Sequence, residues 1–234
     1  MWPTRLLPAL LAATSIAGVF ISPAQAANSD VKITEWMYQS AAGGLGEFVE
    51  FTNLGSTAIN FSGWSYADSS AKAGDVSLSA FGVVNAGESV LLTDTSATNF
   101  RSTWNLSNSV KVIGDNAKDN LGRSDAINLY DNNNALIDSL IYNDQGSGNV
   151  KGPRTNGISA HPGAPGALGA NNANLWISSA VGDSEGSYLS ATGEIGSPGK
   201  TAFAPAVPIG STESLLLSAL ITLGTVARRR AHKK

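Results

Sequence analysis

Residues 47–66, EFVEFTNLGSTAINFSGWSY, decide the fold of this chain. Val49 and Phe51 alternate with polar neighbours, which is the period-2 pattern of a half-buried strand. The Asn-Leu-Gly-Ser segment that follows contains turn-forming residues, and the aromatic residues around Trp64 then supply a second large apolar surface. The stretch therefore predicts a strand, a turn and a strand that share one core, with Val49, Phe51 and Trp64 as core anchors.

The composition of the whole chain favours an all-β domain. It has 25 glycines and only 14% charged residues, and its middle section has no long window with helical periodicity. This section is about one domain in length, so it can bury a core without cross-links. Because there is no cysteine, disulfides, Cys metal sites and thiolate nucleophiles are excluded.

The central part of the chain is more acidic than the formal net charge of −3 indicates. Six of the 15 basic residues lie at the two ends, at Arg5, within 228–230 and at 233–234, and one of the 18 acidic residues, Glu213, lies near the C-terminus. The remainder carries nine basic and seventeen acidic residues, a formal charge of −8. An acidic surface repels phosphate, so the sequence predicts no nucleic-acid partner.

Four segments carry a pattern of motifs in a fixed order along the chain. They are ITEWMY (33–38), GEFVEFTNLGSTAINFSGW (46–64), GESVLLTD (87–94) and DAINLYDNNNALIDSLIYND (125–144). In this order the motifs resemble those of the lamin tail domain in its bacterial secreted form. The resemblance covers 31–144 and extends toward Gly199, and it implies an immunoglobulin-like β-sandwich. It implies little about function, since the bacterial versions occur both alone and beside enzymes.

The rest of the chain can be divided by its hydrophobic pattern and turn residues. The sequence predicts a short helix over 95–105, a hairpin over 126–142, a surface loop over 145–174 and a last strand near 175–181. Trp176 is the predicted core anchor of that last strand. The sandwich then occupies 27–200, with its core at 31–144, and 201–213 form a spacer.

Residues 1–26 have the three parts of a secretory signal peptide. A positive start at Arg5 precedes a mostly apolar run, and Ala24-Gln25-Ala26 is a small-x-small cleavage sequence. Signal peptidase is therefore expected to cut after Ala26. The alternative is an uncleaved N-terminal membrane anchor.

Residues 214–234 form an apolar run followed by a basic end. The run from Ser214 to Ala227 is shorter than the ~20 residues that usually span a membrane, and Arg228, Arg229 and Arg230 follow it as a stop-transfer cluster. This order is similar to the PEP-CTERM sorting signal of exosortase substrates, although Pro208-Ile209-Gly210 stands where that family has Pro-Glu-Pro. The resemblance implies an inner-membrane intermediate, cleavage near Pro208 by an exosortase-like enzyme, and release to the cell surface or medium. A simple tail anchor and a disordered amphiphilic tail are the alternatives.

Three glutamates form the only close set of carboxyl groups in the predicted core. Glu47 and Glu50 are three apart in a strand, so their side chains point to opposite faces and cannot form a catalytic dyad with each other. The sequence instead predicts that Glu50 binds loop backbone. A hydrolase would be favoured if Glu35, Glu47, Asp115 and Asp125 met in one pocket.

Oxygen-rich loops and a single histidine are the other candidates for chemistry. The loops at 115–125 and 131–134 offer the ligand type that calcium prefers, but they do not match the EF-hand spacing and are equally typical of turns. His161 is the only histidine outside the C-terminal tail, whereas zinc usually takes three or four protein ligands. No GxSxG, HExxH or P-loop motif occurs. The sequence therefore predicts no catalytic, cofactor-binding or metal-binding residue.

The predicted function is that of an exported, non-enzymatic module of the cell surface or extracellular matrix. It would bind protein or polysaccharide, or serve a structural role; the resemblance to exosortase substrates implies a biofilm setting. A hydrolase or nuclease-associated domain and a calcium-dependent adhesin are the alternatives. Exposed aromatic side chains could hold sugar rings, but core positions are expected for the residues considered: Trp36, Tyr38, Trp64, Tyr66, Trp104 and Trp176.

Overall fold

The structure, a computed structural model, describes residues 27–205. The strands are β1 (Val31–Met37), β2 (Phe48–Asn53), β3 (Ile59–Asn60), β4 (Ser65–Ala67), β5 (Val76–Ser77), β6 (Val83–Val84), β7 (Ser89–Thr93), β8 (Lys111–Ile113), β9 (Ser124–Tyr130), β10 (Leu136–Asn143), β11 (Ala160–Pro162), β12 (Trp176–Ser178), β13 (Tyr188–Leu189) and β14 (Ile195–Gly196). The α-helix is α1 (Ala97–Trp104), and short 3₁₀ helices lie at Asn28–Asp30, Ser79–Phe81, Gly148–Val150, Pro165–Ala167 and Ala173–Leu175.

Two larger sheets form a sandwich. The large sheet has six strands in the order β12-β11-β1-β2-β7-β8, and the small sheet has four in the order β10-β9-β4-β5. Apolar side chains from both sheets form one cluster, to which Phe51 and Val90 contribute from the large sheet and Ile127 and Leu140 from the small sheet. The described chain is thus mostly β and consistent with the predicted immunoglobulin-like β-sandwich. The predicted anchors Val49, Phe51, Trp64 and Trp176 are all buried in this cluster.

The stretch that predicts the fold shares one core, but it does not form a two-stranded hairpin. β2 pairs with β1 and β7 in the large sheet, whereas β4 pairs with β5 and β9 in the small sheet. Between them β3 pairs only with β6. The chain crosses the sandwich at Gly63, whose φ of +80° suits glycine and where a Cβ would lie 3.0 Å from Asn132 Cβ. The prediction of a shared core is confirmed, but the second predicted strand is divided into β3 and β4.

Helix α1 confirms the predicted short helix. The Ser96 hydroxyl caps it by accepting a hydrogen bond from the Asn99 N–H, and Asn105 ends it in the left-handed conformation. Phe100 and Trp104, four residues apart, pack on the outer face of the large sheet, where they meet Phe48. The helix therefore covers the part of that face around Phe48.

The hairpin of β9 and β10 is also confirmed. The Asp131 carboxylate accepts hydrogen bonds from the N–H groups of Asn133 and Ala135 and so closes the turn. Asn134 has a φ of +59°, a conformation that asparagine tolerates and β-branched residues do not.

We expect Asn134→Val to lower the free energy of unfolding by about 1–2 kcal/mol, because valine is strained at this φ. Asn134→Gly should be neutral or slightly stabilising. Urea denaturation measures both, and Asn133→Val is the control, since Asn133 lies beside it outside the left-handed region. An equal loss from both valine variants would contradict the argument.

The predicted surface loop over 145–174 is wrong in its central part. Residues Ala160–Pro162 form β11, which lies inside the large sheet between β1 and β12. Ala160 pairs with Trp36, and both are fully buried. The small side chain leaves room for the indole, so a segment without large apolar residues still forms a buried strand. β12 with Trp176 follows as the edge strand, inside the predicted last strand.

The predicted signal peptide and C-terminal tail lie outside the described residues, as do the predicted processing positions Ala26, Pro208 and 228–230. Within 27–205, no helix has the length and apolar character needed to cross a membrane.

Candidate functional site

A pair of buried glutamates lies on the outer face of the large sheet. Glu35 on β1 and Glu50 on β2 are direct partners across the two strands, and their exposed fractions are 1% and 0%. A β-bulge after Ile33 adds one residue to β1, which reverses its alternation. Trp36 therefore enters the core, and Glu35 joins Glu50 on the opposite face.

Glu50 accepts hydrogen bonds from hydroxyls and from backbone. The hydroxyls of Thr34, Thr52 and Ser89 lie 2.7, 3.3 and 3.1 Å from its Oε1, and the Gly199 N–H lies 2.6 Å from Oε2. Burial and, to a smaller extent, the neighbouring Glu35 raise the pKa of Glu50 to about 8 against the lowering effect of these hydrogen bonds. The sequence predicts that Glu50 binds loop backbone. One of its four hydrogen bonds, from the Gly199 N–H, is of this kind, and the other three come from side-chain hydroxyls.

Glu35 is held in the same way. Its carboxyl accepts from the Ser159 hydroxyl and from both the N–H and the hydroxyl of Ser197, at 2.8 and 3.2 Å. Burial and, to a smaller extent, the charge of Glu185 raise the pKa of Glu35 to about 7 against the lowering effect of these hydrogen bonds.

Residues 182–203, here called the strap, cover this pair. The strap pairs with the β11 region through the Ser159 N–H, which donates to the Ile195 carbonyl at 2.9 Å. It also contacts α1, because the Tyr188 hydroxyl donates to the Trp104 carbonyl at 2.6 Å. A Cβ at position 196 would lie 2.8 Å from Glu35 Oε1, so only glycine lets the strap approach this closely.

Glu47 lies on the other side of the sheet. Its carboxyl accepts a hydrogen bond from the Leu121 N–H at 2.6 Å. Burial raises its pKa to about 9, with further contributions from Asp94 and Asp125. Glu47 and Glu50 therefore have separate environments, as the strand alternation predicts.

His161 and Asp183 form a second buried pair, between β11 and the strap. His161 Nε2 lies 3.2 Å from the Asp183 carboxylate, and Nδ1 lies 3.0 Å from the Pro162 carbonyl. The ring therefore lies between a carboxylate and a backbone carbonyl, both of which are hydrogen-bond acceptors. Burial raises the pKa of Asp183, but hydrogen bonds from the Ala180 and Ser187 N–H groups and the nearby His161 lower it below its usual value.

Asp183→Ala is expected to cost about 2–3 kcal/mol, because it leaves a buried imidazole and two backbone N–H groups without an acceptor. The pKa of Asp183 is lowered by folding, so its contribution is complete above the unfolded pKa near ~3.9 and is lost as the pH falls through the folded value. Chemical denaturation at neutral and acidic pH tests this. The control is Ser184→Ala, an exposed neighbour, which should change stability by less than about 0.5 kcal/mol.

The four carboxyl groups that a hydrolase would need do not meet. Glu35 lies beneath the strap and Glu47 lies beside Leu121 on the other side of the sheet. Asp115 is exposed, and Asp125 accepts hydrogen bonds from the backbone N–H groups of Ser69, Gly122 and Ala126.

The Asp- and Asn-rich loops use their oxygens for turns. Asp131 and Asp125 both accept from nearby backbone N–H groups, as described above. Across residues 27–205, no group of three or more acidic or histidine side chains is arranged to hold a metal ion.

A shallow groove of about 410 Å³ lies on the small sheet. Exposed Ile141 and Val150 give it an apolar side. Its other lining residues are Ser69, Ala71, Ser124, Asp125, Ala126, Asn128, Tyr142 and Asn143. Sequence reasoning missed this groove, because β10 and the 148–150 turn come together only in the folded chain.

The aromatic side chains considered as sugar-binding platforms are all buried: Trp36, Tyr38, Trp64, Tyr66, Trp104 and Trp176. Trp36 stacks against Tyr142 with ring centroids 3.9 Å apart, inside the sandwich. These rings are core residues and offer no open face for a ligand.

The Lamin Tail Domain family model matches residues 24–144, just over half of the chain. The chain belongs to the lamin tail domain family. No curated protein and no solved structure matches it. The matched part of this lamin tail domain protein contains Glu35, Glu47 and Glu50, whereas Ser159 and the strap lie beyond it. The glutamate pair is therefore part of the family segment, and much of its cover comes from the chain that follows.

Proposed function

We propose that this lamin tail domain protein is an exported, non-enzymatic module of the cell surface or extracellular matrix. It binds a protein or polysaccharide partner or serves a structural role there. The observation that carries the proposal is the position of its perturbed carboxyl groups. Glu35, Glu47 and Glu50 are buried and accept hydrogen bonds from backbone N–H groups. In this closed arrangement they face the interior of the protein and not a substrate-binding surface.

The two ends of the sequence support the route. A leader ending at Ala26 takes the chain across the inner membrane, and signal peptidase removes it. The apolar run with its Arg228–Arg230 cluster then holds the chain in the membrane until an exosortase-like enzyme cuts near Pro208. The domain is then released to the surface or to the extracellular matrix.

Expression of the full chain in a bacterium with an exosortase, and in a matched strain without it, tests the route. Intact-mass analysis should find an N-terminus at Ala27 in both strains. It should find a C-terminus near Pro208 only where the exosortase is present. Peptides from 214–228 in surface material, or an intact leader, would contradict the proposal.

The groove on the small sheet is the surface we propose for partner binding. The tryptophan and tyrosine rings named above are buried. Recognition of a partner would therefore depend on Ile141 and Val150 and on the surrounding amide and hydroxyl groups. This chemistry suits a polypeptide better than stacked sugar rings.

Screening of the secreted protein against matrix proteins and glycans tests the groove. Ile141→Asp should abolish binding of a captured partner. Leu136→Asp is the matched control, because Leu136 lies on the same strand, is 54% exposed and does not line the groove. If both variants bind as the wild type does, the partner contacts another surface and the groove proposal fails.

A further inference from the structure

Within the described part of the chain, the Glu35–Glu50 pair has no salt-bridge partner, and the salt bridges there join other side chains. Like charges directly opposite each other on neighbouring strands destabilise a sheet, and burial removes the water that would screen them. Keeping a proton on at least one of the two carboxyls avoids this repulsion.

The strap is the least regular of the elements that cover the pair. Its regular structure consists of two strands of two residues each, β13 and β14, and it turns through glycines at Gly186, Gly193 and Gly199 with φ of +68°, +96° and +95°. Its hydrogen bonds to the carboxyls come from residues 197 and 199. Short elements of this kind open at lower free energy than the core strands on which they rest.

We propose that the strap is a pH-dependent cover, closed over Glu35 and Glu50 while one of them carries a proton and opened when both ionise. Opening gives both carboxylates access to water and uncovers the polar outer face of the large sheet between α1 and β11. The face so uncovered carries the hydroxyls of Thr34, Thr52 and Ser89 as well as the two carboxylates. This pH response involves only residues within 27–205 and does not depend on the proposed export route.

The other ionisable groups around the pair act in the same direction or are already paired. On the strap, Glu185 adds negative charge near Glu35, and burial raises the pKa of Tyr188 to about 12, so Tyr188 stays neutral. On β11, the His161 ring is engaged by Asp183. Lys200 is the strap's cation; its ammonium lies beside Gly186 and forms no salt bridge with either glutamate. The pKa values of about 7 and about 8 for Glu35 and Glu50 place the opening in the mildly alkaline range.

Hydrogen exchange of the purified full chain, followed by mass spectrometry, tests the proposal. After correction for intrinsic exchange, we expect protection of strap peptides to fall about tenfold or more between about pH 6 and about pH 9. Peptides from the β9–β10 hairpin should keep their protection over the same pH range. Constant protection of the strap, or equal loss in the hairpin, would overturn the proposal.

The deciding variant is Glu35→Gln/Glu50→Gln. Each amide can keep its oxygen toward the strap N–H and donate to the neighbouring hydroxyls, which rotate to accept. The double variant should keep the strap protected at both pH values. If the double variant does not fold, the single variant Glu50→Gln tests the proposal. Its remaining carboxyl, Glu35, has no charged partner to repel it, so opening of the strap should move to higher pH. Glu47→Gln is the matched control: it removes a buried carboxyl from the other side of the sheet and should leave the strap's response unchanged. A pH response that persists in the double variant, that stays at the wild-type pH in Glu50→Gln, or that vanishes in Glu47→Gln, would refute the proposal.

Discussion

Truncation of Trp64 to alanine is expected to lower the free energy of unfolding by about 3–5 kcal/mol, as for other buried aromatic residues. Trp64 is 2% exposed and stacks on Phe61 with ring centroids 4.4 Å apart. It lies where the chain crosses from one sheet to the other, in the cluster formed by both. The surrounding side chains belong to two sheets that hold each other in place, so they cannot collapse fully into the cavity.

Urea unfolding followed by circular dichroism measures this loss, with an unchanged m-value as the sign that only stability has changed. The matched control is Leu136→Ala, which shortens an exposed apolar side chain and should cost less than about 0.5 kcal/mol. A loss for Trp64→Ala as small as that of the control would mean that the aromatic residues around Trp64 do not form the core, and the sandwich architecture would have to be abandoned.

Local patterns were enough to predict the elements that are governed by neighbours in sequence. The β9–β10 hairpin follows from apolar alternation around Asp131–Asn134, and helix α1 follows from Ser96 and the spacing of Phe100 and Trp104. Each of these needs only contacts within about ten residues, so its signal is complete in the local sequence.

The elements that sequence reasoning missed depend on distant partners. β11 is buried because Ala160 fits beside Trp36, and no local pattern marks Ala160 as a core residue. The crossing at Gly63 depends in turn on the close approach of Asn132. Packing between residues so far apart in sequence decides these elements against their local propensity.

The arrangement of the candidate site could be predicted from the local sequence even less than these elements. Strict alternation along β1 would have placed Glu35 and Glu50 on opposite faces, but the bulge after Ile33 puts them on one. Two of the strap's donors to the pair are backbone N–H groups, at Ser197 and Gly199, which every non-proline residue has. The sequence therefore indicated the carboxyl groups but not their pairing or their cover.

Glu47→Gln is expected to flatten the loss of stability that the wild type shows at alkaline pH. The pKa of Glu47 rises from its ordinary range to about 9 on folding, so the folded state holds its proton where the unfolded chain has released it. Stability is then greatest below the unfolded pKa near ~4.3 and falls as the pH rises toward the folded value, by ~1.4 kcal/mol per pH unit for one such group. Glutamine keeps an oxygen for the Leu121 N–H and has no proton to lose, which removes this slope.

The range between about pH 8 and about pH 9 separates Glu47 from the pair under the strap, because the pKa values of Glu35 and Glu50 are about 7 and about 8. Urea denaturation across this range should show a falling free energy of unfolding in the wild type and a nearly constant one in Glu47→Gln. Glu35→Gln is the matched control, since both carboxyls of the pair under the strap titrate by about pH 8 and the variant should leave the slope above that pH intact. An alkaline slope that survives in Glu47→Gln would show that this carboxyl is ionised in the folded protein, and the environment beside Leu121 would then have to stabilise a buried charge.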